Sequence, residues 1–254
     1  MKSRLTALVG GLALGSALLF TSAGIVTAAT PATGPSGKGA CATEAAAVKT
    51  GATVATLRTF GDCEINRRFV TLTNLTAKIT ASKVMTSSDK AALQGEIGST
   101  TAGLTSLKAA IDAETGIPAL RADIVKIATG YRVYLLVTPQ VNLVNASYAV
   151  LAAQTRFATV NTNLTARIAA AKAAGKGTTA AQADLNAMNA YVTAAGGLAS
   201  PLSAQLLPLT PAQYNVGTAG AGPILTAART ALGQARDDLR SALADAKACR
   251  DALK

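Results

Sequence analysis

Apolar residues recur at intervals of three and four along almost the whole chain, a spacing that suits helices and little else. The clearest run is Leu225, Ala228, Leu232, Ala235, Leu239, Ala242, Ala246, Cys249 and Leu253, which alternates without a break over four heptads. This is the a/d seam of a coiled coil, and alanine at alternate seam positions lets a partner helix come close. Leu93, Ile97, Thr100, Leu104, Leu107 and Ile111 step in the same way, as do Leu120, Ile124, Ile127, Tyr131, Tyr134 and Thr138. Composition points the same way. Much of the 50% hydrophobic content is alanine, the best helix former, and aromatic residues make up only 4%. Sheets prefer branched and aromatic side chains.

Helix punctuation divides the pattern into six predicted helices, at about 57–85, 88–114, 118–137, 139–174, 179–207 and 211–253. Ser88 and Asp89 suit a helix start, and Thr138-Pro139 and Thr210-Pro211 each place threonine at an N-cap with proline in the first turn. Thr179 with Gln182 fits a capping box, just after Gly175 and Gly177 end the helix before it. Gly196, Gly197 and Pro201 should split the fifth helix, and Gly217, Gly220, Gly222 and Pro223 should delay the regular part of the sixth. Tyr131–Val137 could form a strand on propensity alone, but its flanks keep the helical register.

One segment recurs. Thr73–Lys83 reads TNLTAKITASK and Thr162–Lys172 reads TNLTARIAAAK, identical at eight of eleven positions. A duplication would give two related three-helix halves, 57–138 and 139–254. The expected fold is therefore all-α: an elongated antiparallel, coiled-coil-like bundle over 41–254.

The N-terminus reads as an export signal over 1–29. Lys2 and Arg4 precede an apolar stretch from Leu5 to Phe20, and Val26-Thr27-Ala28-Ala29 suits signal peptidase. A flexible Pro/Gly/Ser linker follows over 30–40. The expected location is secreted or extracytoplasmic, with no transmembrane segment in the mature chain. A lipid anchor fits poorly, since Lys38 stands three before Cys41 and spoils a lipobox. Two basic residues and no acid leave with the signal, which takes the net charge from +11 to +9.

Little chemistry is legible. The chain has no histidine, the commonest general base and transition-metal ligand. Its three cysteines have no zinc spacing, no calcium loop or phosphate loop is present, and no base stands near a serine or cysteine nucleophile. No catalytic residue, metal or cofactor is expected, and the chain is not expected to be an enzyme. Cys41, Cys63 and Cys249 allow one disulfide and one leftover thiol. Six helices running up and down would return the chain to its starting end, which favours Cys63 with Cys249. Cys41 with Cys63 is the local alternative, although one continuous helix would hold them ~33 Å apart. Free thiols acting as small core residues are the third.

The basic residues are the remaining candidates. Arg67, Arg68, Lys78, Arg121, Arg132, Arg167, Lys172, Arg236 and Arg240 are spread over several helices and are expected on the surface. They suit weak contact with anionic wall polymer or membrane surface. Stacking aromatics are too few to suggest nucleic acid.

The segments TGYRVYLLVTPQ (129–140), LPLTPAQYN (207–215) and ARTALGQARDDLRSALADAKA (228–248) carry a resemblance. Through them the chain resembles a group of secreted, alanine-rich, all-helical bacterial proteins with no assigned function. The resemblance covers most of the mature chain. It implies a helical extracytoplasmic protein, no activity, and no functional residues to transfer. The expected role is structural or interactive at the cell surface or in its surroundings, with an unidentified protein or an anionic envelope polymer as partner.

Overall fold

A computed structural model describes residues 39–215 and 220–254, and every regular element among them is helical. The predicted signal peptide and most of the linker lie outside the described residues. In chain order the elements are α1 (Ala42–Thr50), α2 (Val54–Ala81), α3 (Ser87–Ala113), α4 (Ile117–Thr129), a π-helical turn (Val133–Val137), α5 (Thr138–Ala173), α6 (Thr179–Ala199), α7 (Leu202–Leu206), a 3₁₀ turn (Pro211–Asn215) and α8 (Ala221–Asp251).

The 3-4 spacing becomes burial. In α3 the buried residues are Leu93, Ile97, Thr100, Leu104, Leu107 and Ile111, every member of the predicted stripe. In α8 they are Ala221, Leu225, Ala228, Leu232, Ala235, Ala242, Ala246 and Cys249, with Leu239 and Leu253 half-buried. Each fully buried leucine or isoleucine contributes about 1.5–3 kcal/mol. The seam alanines contribute less, but they let α8 lie along α6 in the most extensive helix contact of the fold.

Two groups of helices result. α2, α3 and α4 pack together, and so do α5, α6 and α8. Residues 58, 62 and 80 of α2 meet the end of α3 and its positions 108 and 94 through Arg58 donating to the Ile111 and Glu114 carbonyls, Lys108–Asp62 and Gln94–Thr80. The first core cluster does not respect this grouping. It joins Ile65, Leu72 and Ile79 of α2 to Val141 and Val144 of α5 and to Leu225 and Leu232 of α8. A second cluster holds Leu164, Ile168, Leu185, Met188, Ala242 and Cys249 and draws only on α5, α6 and α8. The repeated segments form the last turns of α2 and α5. In both copies the leucine (Leu75, Leu164) and isoleucine (Ile79, Ile168) are buried.

Several expectations need correction. The third predicted helix, which is α4, ends at Thr129, not Val137, and the break falls at Gly130–Arg132 rather than at Thr138-Pro139. Arg132 has φ 44°, a left-handed conformation uncommon for a side-chain-bearing residue, and stands immediately before the π turn. Pro139 offers no N–H, and its ring would crowd the residue 135 carbonyl in a regular α-helix. The wider π turn precedes it, with the Thr138 N–H donating to the Val133 carbonyl. Thr86, not Ser88, caps α3: its hydroxyl accepts from the Asp89 N–H at 3.2 Å. Thr178, not Thr179, stands at the N-cap of α6, and Gln182 bonds Asn186 instead of closing a capping box. Thr210-Pro211 begins only a 3₁₀ turn, and α8 starts after Gly220. Gly175, with φ +76°, does end α5, and the fifth predicted helix does split beside Pro201.

The disulfide joins Cys41 to Cys63, with Cα atoms 5.9 Å apart, and not Cys63 to Cys249. Gly51 is extended (φ −166°, ψ 105°), so the chain turns between α1 and α2 and brings Cys41 back beside α2. Helix parity failed because the far half of α8 packs with α5 and α6, which places Cys249 in a cluster with no α2 residue. A disulfide fits an oxidising, extracytoplasmic compartment.

Candidate functional site

The nine basic candidates do not share one environment. Three are drawn into the fold around α2 and the π turn. Arg68 is 5% exposed. Its Nη1 donates to the Glu64 carboxylate and to the Glu64 carbonyl, both at 2.6 Å. Arg67 also pairs with Glu64, at 2.7 Å. Both guanidiniums lie over the Tyr134 ring, at 4.8 Å for Arg67 and 5.2 Å for Arg68, so a carboxylate and an aromatic face together compensate two cations. Arg132 is buried too and stacks on Tyr214 at 4.6 Å. The Arg132 Nε, the Arg68 Nε and the Tyr134 hydroxyl are enclosed without a hydrogen-bond partner. Arg68 and Arg132 are therefore not surface residues.

Lys78 is half-buried and ties α2 to α5, its Nζ donating to Asn142 Oδ1 at 2.6 Å. Burial pushes its ammonium below the ordinary lysine range. Ser82–Asn145 reinforces the same junction, and Tyr148 of α5 donates to Asp89 at the start of α3. Arg236 is half-buried and donates from Nε to the Leu232 carbonyl. Arg240 is exposed and paired with Asp237. Arg121, Arg167 and Lys172 are exposed, with no carboxylate in ion-pair range among the described residues.

The unpaired exposed cations are most concentrated on α5 and its exit. The 36 residues of α5 contain Arg156, Arg167 and Lys172 and no acidic residue. Lys176 follows in the turn, its Nζ reaching only the Lys254 carbonyl. A shallow groove between the end of α5 and the start of α6 is lined by Ile168, Lys172, Thr178, Thr179, Gln182 and Asn186. Cys249 shares the second core cluster with Ile168 and is buried and unpaired. Burial, with Asp184 nearby, pushes its thiol up, and Arg167 opposes the shift.

Among the described residues no three His, Cys, Asp or Glu side chains converge as a metal site. By length and composition the stretch Ile117–Ala173 is apolar enough to cross a membrane, but nearly half of its most apolar window is buried inside the fold.

Sequence reasoning missed Tyr134, Tyr214 and Glu64 as partners of the basic residues. One signal for Arg68 was present: Gly61, Ile65, Arg68, Leu72, Leu75 and Ile79 keep the 3-4 step, so position 68 belongs to the buried stripe. No such signal marks Arg132, whose burial depends on Tyr214, distant in sequence.

These features define an all-helical, disulfide-containing protein in which several polar side chains tie one helix to another. Comparison with protein-family models, with curated proteins and with solved structures returned no match.

Proposed function

We propose that this chain is a secreted structural or interaction protein of the bacterial cell surface or its surroundings. In this reading the signal at 1–29 exports an elongated, antiparallel, coiled-coil-like bundle of two related three-helix halves. The observation that carries the proposal is α5. It is 36 residues long, about 54 Å at 1.5 Å per residue, and contributes to both core clusters. A helix shared in this way braces one group of helices against the other, as a spacer or scaffold requires. The disulfide supports export, and no catalytic role is proposed.

The acid-free length of α5 favours a second reading, weak binding of anionic wall polymer or anionic membrane. Arg156, Arg167, Lys172 and Lys176 are the cations best placed for it. The test is sedimentation with purified cell wall and with anionic vesicles, at low salt and at about 0.5 M, where screening reduces electrostatic reach to a few Å. Binding that falls with salt, and is abolished by replacing those four residues with glutamine at unchanged helicity, supports the polymer reading. Absent or salt-insensitive binding leaves the scaffold reading, which crosslinking to a surface protein would then test.

A further inference from the structure

α1 makes almost no core of its own. None of its nine residues is buried, and only Cys41, just before it, is enclosed. Its substantial helix contact is with α2. Docking even carries a cost, since Glu44 Oε2 is enclosed without a hydrogen-bond partner. A helix this short is marginal in water without tertiary support. Meanwhile α2 begins on its own cap. The Thr53 hydroxyl accepts from the Thr56 N–H at 3.2 Å, and the Thr56 hydroxyl accepts from the Thr53 N–H at 2.9 Å. Loss of α1 therefore need not propagate into α2.

We infer that the Cys41–Cys63 disulfide is a redox-sensitive clasp holding the N-terminal arm to the body, and that its reduction frees the arm while the remaining helices stay folded. Access is built in on one side. Cys63 is partly exposed and lines an open groove with Ala40, Thr59, Asn66, Arg67 and Val70, whereas Cys41 is 5% exposed. A thiolate of a dithiol reductant attacks Cys63 Sγ from this groove, forming a mixed disulfide and expelling the Cys41 thiolate. The second thiol of the reductant then displaces Cys63. The reductant leaves as its own disulfide, having supplied two electrons, and both cysteines end as thiols. Cys249 takes no part, because it is buried in the second core cluster, which holds no residue of α1 or α2. The freed segment 40–53 becomes a tether able to span up to about 45–50 Å.

The test is hydrogen exchange on the full mature chain, with and without dithiothreitol, read by mass spectrometry. In the reduced protein, amides of α1 should exchange like those of an unstructured peptide, while α2–α8 keep their protection and reoxidation restores α1. Native alkylation after reduction should label Cys41 and Cys63 and spare Cys249. The double substitution Cys41→Ser, Cys63→Ser should reproduce the exchange pattern without reductant. Persistent protection of α1 after reduction overturns the clasp. So does loss of protection throughout α2–α8, which would make the bond a global staple. A bond that resists dithiothreitol until the chain unfolds also overturns it.

Discussion

Arg68 and Arg132 lie inside the fold because a guanidinium can be compensated by an aromatic face as well as by a carboxylate. The long side chain brings its own apolar stem, so a seam position can hold arginine if Tyr134 and Glu64 meet its head. Glu96 shows the opposite case. It is half-buried on α3, and burial alone pushes its carboxyl above the ordinary 4.5. A carboxyl with a raised pKa in the fold is penalised in its charged form, so it lowers stability at neutral pH and stops doing so once pH falls below the unfolded value. Glu96→Gln should therefore raise the urea midpoint at pH 7, with the gain shrinking as pH falls toward 4.5 and gone below it. An equal gain at pH 7 and well below pH 4.5 would mean that charge is not the cause.

At the scale of the element, α3 contains an internal comparison. Gly98 has open space where a Cβ would stand, whereas a Cβ at Gly103 would meet the Tyr131 ring, with the carbon bearing the hydroxyl at 3.0 Å. Gly98→Ala should stabilise by about 0.5–1 kcal/mol through helix propensity alone. Gly103→Ala gains the same propensity but pushes on a packed ring, and a net loss of about 1 kcal/mol is expected because overpacking costs more than propensity returns. Urea unfolding of the two variants checks the difference in sign. The break between α4 and α5 belongs to this scale as well. From sequence, Thr138-Pro139 is an ordinary helix start. The chain instead takes a left-handed conformation at Arg132 and runs through a π turn into α5, because Val133, Leu136 and Val137 are buried in the first cluster and hold that turn in place.

For the whole molecule, the repeated segment suggests two separable halves, but the first core cluster joins α2 to α5 and α8. Cutting between the halves would expose Val141, Val144 and Leu225 on one side and Ile65, Leu72 and Ile79 on the other. The mature protein should therefore unfold in a single urea transition, with circular dichroism and tyrosine fluorescence coinciding; two resolved transitions would show independent halves. Helical class and the buried stripes of α3 and α8 were determined by sequence alone, because a 3.6-residue period puts every third or fourth side chain on one face whatever the partner. Partner choice was not. The pairing of Cys41 with Cys63, the burial of Arg132 against Tyr214 and the sharing of α5 between two clusters depend on where distant helices cross. Tertiary packing decided them, since periodicity states which face is apolar and leaves open what covers it.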